Sequence, residues 1–119
     1  MDTNMLLLPS RRKIDIFQEI PRIVPEKHEI ATLSTVVEEL SNLEGRGRDS
    51  MAAKTGLQLL KEKKVRIIKS TGDVDEKLVE MAAPGETIIA TNDRELKKKV
   101  KAKGAGLIYM RGKNRLERI

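Results

Sequence analysis

Short apolar runs alternate along this chain with longer stretches in which apolar residues recur every three or four positions. Residues 6–8, three leucines, form a brief β-like run closed by Pro9. Residues 11–20 carry Ile14, Ile16, Phe17 and Ile20 at broadly helical spacing, and the helix is expected to end before Pro21, which has no N–H to donate. Residues 29–33 read as a short strand. Thr35 with Glu38 then reads as a capping box, opening a helix whose apolar face is Val36, Val37, Leu40 and Leu43. Gly45 and Gly47 punctuate the chain before a helix expected over 49–62 and a strand over 65–68. Asp73 with Glu76 is a second capping signal, for a helix through Leu78, Val79 and Ala82 that stops near Pro84 and Gly85. Residues 87–91 read as a buried strand, 93–103 as a helix ended by Gly104, and 107–110 as a final strand. The stretch after Gly112 is polar and is expected to be ordered only against the body or a partner.

Strand and helix alternate, the β-like segments are continuously apolar, and the helices are long enough to serve as crossovers. The expectation is an α/β fold: a three-layer α/β/α sandwich with a mainly parallel central sheet. At 119 residues there is room for one domain with one core, spanning 1–119. No internal repeat or low-complexity linker divides it.

Composition narrows the chemistry. One Phe, one Tyr and no Trp leave little for stacking on bases, which disfavours nucleic-acid readers built on aromatic platforms. The absence of Cys excludes disulfides and thiolate metal sites, and a lone His28 argues against both a His-rich zinc site and histidine-based hydrolysis. A bound metal must therefore take oxygen ligands, which points to Mg²⁺ or Mn²⁺. No stretch is apolar enough to span a membrane and no signal peptide is recognisable, so a cytoplasmic location is expected. The net charge of +6 is uneven. Residues 94–119 hold ten Lys or Arg against two Glu, while the rest of the chain is slightly acidic. That asymmetry suits a polyanion engaged mainly by one end.

In a parallel sheet, functional groups gather at the carboxyl ends of strands and the adjoining helix N-termini. Asp93 lies just beyond the 87–91 strand, and Asp73 and Asp75 just beyond 65–68. Asp2 precedes the leucine run, and Glu39 sits in a helix whose other face is apolar. Asp73 and Asp93 also qualify as simple helix caps, and Glu39 as an ordinary exposed glutamate.

Four segments together resemble the PIN-domain family. Met1-Asp2-Thr3-Asn4-Met5-Leu6-Leu7 resembles the family's first-strand motif, and Thr91-Asn92-Asp93-Arg94-Glu95-Leu96 the motif after its fourth strand. Val36-Val37-Glu38-Glu39-Leu40 matches the helical glutamate signature. Gly72-Asp73-Val74-Asp75-Glu76-Lys77-Leu78 resembles the region of the third acid, where Asp75 aligns best and Asp73 is the alternative. The tail from Gly104 to Arg111 is similar to the last strand of archaeal members, which include toxin nucleases and a nuclease of ribosomal RNA processing. In the family several apolar residues precede the first aspartate. Only Met1 precedes Asp2 here, so either the chain begins late or the strand runs through the residues after Asp2.

The resemblance implies a metal-dependent endoribonuclease in which Asp2, Glu39, Asp75 and Asp93 hold one or two Mg²⁺ or Mn²⁺ ions. The cation would offset repulsion among the carboxylates, activate water and stabilise charge on the phosphodiester. Asn4 and Thr91 would orient water or the liganding carboxylates. Arg94, Lys97, Lys98 and Lys101, extended by Arg111, Lys113 and Arg115, would supply salt-sensitive contacts to the RNA backbone. The implied partners are RNA, an antitoxin protein or a ribosomal precursor, and a second copy in a homodimer. The alternatives are a catalytically silent RNA-binding or ribosome-assembly module on the same scaffold, and a receiver-like phosphate-transfer domain.

Overall fold

The first helix is formed by residues that look like a strand. In the computed structural model, which describes residues 1–45 and 47–119, α1 spans Thr3–Arg11. Asp2 is extended, and its side chain accepts the Met5 N–H at 2.9 Å, so the chain turns helical immediately after the aspartate. Met5, Leu6, Leu7 and Leu8 are all buried. A helix segment buried on every side shows no polar face, and its sequence cannot be told from a buried strand. Pro9 lies inside α1, which ends two residues later. The leucine run is therefore not β structure, and the residues after Asp2 do not supply a first strand.

A second proline departs from expectation in the same way. Helix α2 spans Ile16–Ile23 with Pro21 inside it, capped by Asp15, whose side chain accepts the Gln18 N–H at 3.1 Å. Pro21 has no N–H for the carbonyl four residues earlier, that of Phe17 in the first turn, a single loss that so short a helix tolerates. Strand β1 is Ala31–Leu33, and α3 follows without a break over Ser34–Leu43. The expected capping box does not form: Leu33 is the N-cap, and Thr35 lies in the first turn with its hydroxyl 2.9 Å from the Ser70 hydroxyl.

A 3-10 turn at Gly47–Asp49 leads into α4, Ser50–Glu62, and then β2, Arg66–Ile68. Helix α5 covers Val74–Met81, β3 Ile88–Ala90, α6 Arg94–Ala102, and β4 Gly106–Arg111. Gly104, with φ of 74°, takes the left-handed conformation that closes α6, and its N–H bonds the Lys101 carbonyl at 2.9 Å. The polar tail is ordered as β5, Arg115–Arg118, where Leu116 is fully buried. A single apolar residue in a charged stretch gave the sequence little to reveal a strand.

The strands are mainly parallel. β1 pairs with β2, aligning Ala31 with Arg66 and Leu33 with Ile68, and β3 pairs with β4, aligning Ile88 with Gly106 and Ala90 with Ile108. β5 returns antiparallel beside β4. Among the described residues, no strand ladder joins β1 to β3. Met1 and Asp2 lie between them instead. The Met1 ammonium donates to the Ala31 carbonyl at 3.3 Å, and the Asp2 N–H to the Ala90 carbonyl at 3.4 Å.

Helices pack around these strands over one continuous apolar core. α1, α3 and α4 contact one another, and Leu96 and Val100 of α6 are buried against the β3–β4–β5 sheet. The α1–α4 approach is tight: a Cβ on Gly56 would stand 2.7 Å from the Leu6 carbonyl oxygen. α2 is strapped to β5 by Arg22 donating to the Leu116 carbonyl at 3.1 Å, and by a two-point Arg118–Glu26 ion pair that pulls the Glu26 carboxyl down to about 2. No helix among the described residues is long and apolar enough to cross a membrane.

Candidate metal centre

Three helix N-terminal regions and one helix flank open onto a single cleft of about 470 Å³, lined by Asp2, Asn4, Glu39, Asp73, Asp75 and Asp93 together with Thr3, Asn42, Leu43 and Val74. Among the described residues, no Lys, Arg or His lines it. The structure thus gathers all four acids singled out in the sequence, both candidates for the third acid, and Asn4.

Local folding explains each placement. Asp2 and Asp93 cap α1 and α6, at the points where the chain leaves the central region of the sheet. Asp93 Oδ1 accepts the Leu96 N–H at 2.8 Å. Asp73 caps α5 in the same manner, accepting the Glu76 N–H at 2.9 Å. Asp75 lies in the first turn of that helix and, among the described residues, has no hydrogen-bond partner of its own. On α3, Val36 and Leu40 face the core, which turns Glu39, Asn42 and Leu43 toward the cleft at i, i+3 and i+4.

Thr91 is fully buried beneath the cleft and ties two acids together. Its hydroxyl donates to Asp2 Oδ2 and accepts the Asp93 N–H at 3.1 Å. One side chain therefore fixes both the rotamer of Asp2 and the turn that presents Asp93. Thr3 does similar work on the other side, donating its hydroxyl to Glu39 Oε1. Thr3 and Asn42 were not anticipated. Thr3 lies inside the first motif, and Asn42 sits one helical step from Glu39, which was the only signal available for it.

The electrostatics are those of uncompensated negative charge. Burial raises the Asp2 carboxyl above its ordinary value; Asp93 adds to the rise, while the bonds from Thr91 and Met5 and the Met1 ammonium oppose it. Burial also raises Asp75, and Asp93, Asp73, Asp2 and Glu39 all push it further in the same direction. Asp2 and Asp75 thus resist ionising chiefly because they are buried, and the neighbouring acids add to it. Among the described residues, no three acids are drawn together tightly enough to form a finished coordination sphere. The donors are all carboxylate, amide or hydroxyl oxygens, and among the described residues no cationic side chain lines the cleft. That donor set fits a hard divalent ion.

The basic residues lie beside the cleft. Arg94, Lys97, Lys98 and Lys101 line a shallow groove of about 260 Å³ with Leu107, Tyr109 and Ile119. Lys97 Nζ stands 5.1 Å above the Tyr109 ring, and Lys98 makes only a loose 3.7 Å contact with Glu95. The groove begins one residue after Asp93, so acid and base share the N-terminus of α6. Lys113 and Arg115 are exposed near the β4–β5 turn, whereas Arg111 is held at 3.0 Å by Glu117.

With this geometry in place, comparison with known proteins is decisive. The sequence profile of the PIN like domain matches residues 1–113. The chain belongs to this family. The PIN-like chain is 34% identical over 122 residues to ribonuclease VapC4 of Methanocaldococcus jannaschii, covering 98% of this chain and 92% of that protein. It is 32% identical over 118 residues to ribonuclease VapC9 of Archaeoglobus fulgidus, covering 98% and 84%. Its fold is similar to that of the PIN domain endonuclease Utp24, with a TM-score of 0.77 at 20% identity over 98% of this chain and 86% of the other. At that identity the likeness speaks for the PIN architecture alone.

Proposed function

We propose that this PIN-like chain is a divalent-metal-dependent endoribonuclease that hydrolyses RNA phosphodiester bonds in the acidic cleft. The observation that carries the reading is the convergence of Asp2, Glu39, Asp75 and Asp93, from four separate elements, on one cleft that no cationic side chain lines among the described residues. Both curated relatives named above are ribonucleases.

In this reading Asp2, Glu39, Asp75 and Asp93 hold Mg²⁺ or Mn²⁺. A divalent ion held there would supply activation of water and stabilisation of negative charge on the scissile phosphate. The remaining steps belong to the chain. Thr91 holds Asp2 and the Asp93 turn in register, Thr3 holds Glu39, and Asn4 and Asn42 offer amides to water or to the substrate at the cleft wall. Asp75 is preferred to Asp73 as third acid because its carboxyl is raised by burial and by Asp93, Asp73, Asp2 and Glu39 together, which puts it at the focus of the acidic cluster. Arg94, Lys97, Lys98 and Lys101 lead the RNA backbone along α6 to the cleft, with Lys113, Arg115 and the partly neutralised Arg111 extending the track.

An antitoxin protein is favoured over a ribosomal precursor as the physiological partner. The relatives that share a third of their residues with this chain carry VapC names, whereas the Utp24 likeness rests on fold. A homodimer and a cytoplasmic location complete the reading.

The test is cleavage of labelled structured and unstructured RNAs in Mg²⁺, Mn²⁺ or EDTA, comparing the unaltered chain with Asp93→Asn. Cleavage is expected with either metal and not in EDTA, and the variant is expected to lose at least about a hundredfold while staying folded, since Asn still caps α6. Metal-independent cleavage, or full activity in Asp93→Asn, would overturn the mechanism. RNA binding with no cleavage in any metal would mark a silent module instead.

A further inference from the structure

The four acids of the cleft are tied down unequally. Thr91 joins Asp2 to the Asp93 turn, and Thr3, next to Asp2 in the chain, donates to Glu39. Those three acids belong to one run of hydroxyl contacts. Asp75 stands outside it, with no hydrogen-bond partner for its carboxyl among the described residues. It rides on α5, a helix of eight residues that packs against α6 and buries Leu78. The far end of α5 is held by Lys103, whose ammonium donates to the Val79 carbonyl at 2.6 Å. The end that carries Asp75 is approached through Ser70.

β1 and β2 are paired as far as Leu33 and Ile68. α3 begins at Ser34, so the backbone ladder stops there and side chains take over. Ser34 Oγ accepts the Ser70 N–H at 2.9 Å and donates to the Ser70 carbonyl at 3.1 Å, gripping one residue from both sides. Ser70 returns the contact: its Oγ accepts the Thr35 N–H at 3.5 Å and lies 2.9 Å from the Thr35 hydroxyl. Leu33, the N-cap of α3, makes no side-chain bond to the first turn. Ser70 therefore caps α3 from a distant part of the chain. Glu39 lies five residues beyond Ser34, and Asp75 five beyond Ser70, with Gly72 turning the chain into α5 at a φ of 80°. None of the three hydroxyls lines the cleft itself.

We infer that the Ser34–Ser70 bridge is a positioning device for the metal centre, fixing the start of α3 to the approach to α5 and so setting Asp75 against Glu39. The inference rests on the metal-binding role proposed for those acids. Carboxylates that repel one another move apart unless the elements carrying them are held. Drawing them back around a cation then subtracts from its affinity, and a support that acts through two helices removes that cost. Ser34 and Ser70 touch neither ligand nor substrate in this role. They act through Glu39 and Asp75.

The test reads Mn²⁺ binding rather than cleavage, through loss of the electron paramagnetic resonance signal of free Mn²⁺ as the chain takes it up. Ser34→Ala and Ser70→Ala are each expected to weaken binding about fivefold or more, and the double variant to fall within about twofold of the weaker single, since both cut one bridge. Ser70→Thr keeps the hydroxyl and should bind within about twofold of the unaltered chain. Asp15→Ala is the structural control: it removes the α2 cap, which lines no part of the cleft, and should lower Tm comparably while leaving Mn²⁺ affinity unchanged. Undiminished affinity in either serine variant, or equal weakening in Asp15→Ala, would overturn the inference. Asp93→Asn separates that failure from failure of the metal reading, because it should bind at least about tenfold more weakly whatever the serines do. A chain that binds no Mn²⁺, or an Asp93→Asn variant that binds it undiminished, would remove the metal site and the inference with it.

Discussion

The acidic cleft and the basic groove meet at the N-terminus of α6, yet they are built by opposite rules. In the cleft, Asp2, Asp73 and Asp93 are each anchored by a backbone N–H, and Thr91 and Thr3 fix Asp2 and Glu39. Along the groove, positive side chains recur on one helix, mostly exposed, steadied only by an aromatic ring and a loose ion pair. Like charges crowd the cleft because position matters there and the repulsion is tolerated. The groove needs only charge density, which solvent and salt screen cheaply. Single changes should therefore be severe in the first region and graded in the second.

The sharpest separation is expected between the two candidate third acids. Asp75→Asn should lower cleavage at least about a hundredfold, while Asp73→Asn, which keeps the α5 cap, should stay within roughly fivefold; single-turnover rates on one RNA decide it. Equal losses would mean that the two aspartates act as a pair. Next, Thr91→Val should cost about 1–3 kcal/mol in urea unfolding, because it strips partners from a buried carboxylate and a part-buried N–H. The same change should slow cleavage roughly tenfold to a hundredfold, although Thr91 does not line the cleft.

Replacing Lys97, Lys98 and Lys101 together by Ala attacks the other side of the comparison. The expected result is weaker RNA binding, with the slope of log K against log salt reduced by about 2, and an unchanged kcat at saturating RNA. A fall in kcat with an unaltered salt slope would place these lysines in the chemistry and dissolve the distinction. The smallest effect is in pH. Asp2 and Asp75 have folded values raised above the unfolded one, so their ionisation weakens the fold. That penalty is fully present above the folded values and fades as pH falls through them. In EDTA, Tm should therefore rise slightly as pH is lowered from neutral toward the ordinary carboxylate range, and the gain from added Mn²⁺ should shrink over the same interval. Glu26, held down to about 2 by Arg118, works in the opposite sense, its contribution being lost only below the usual carboxylate range. An Mn²⁺ gain identical at both pH values would argue against carboxylates as the binding groups.

Much of this was legible in the residues. Asp73 and Asp93 announced themselves as caps at the ends of apolar strands, and both strands and caps stand where the pattern put them. Glu39 and Asp2 depended on family resemblance, since nothing local distinguishes a cleft glutamate from a solvated one. The failures share a cause. Residues 5–8 are buried all round, so their helix shows no periodicity, and Pro9 and Pro21 mislead because a proline breaks a helix less near its end. β5 was missed because one buried Leu116 among charges carries almost no signal. The Thr91 bridge was named only as a supporting hydroxyl. Its reach to Asp2 depends on tertiary packing, which no local pattern encodes.

The Thr91–Asp2 bond closes a loop between residues 89 positions apart. Closing so long a loop is entropically expensive and is paid late in folding, after local helices and hairpins have formed. During synthesis, a chain released only as far as Ala90 has Asp2, Glu39 and Asp75 but lacks both the hydroxyl that orients the first acid and the fourth acid itself. The centre is thus assembled across almost the whole polypeptide. A nascent or truncated molecule that lacks residues 91–93 cannot make the Thr91–Asp2 contact or present Asp93.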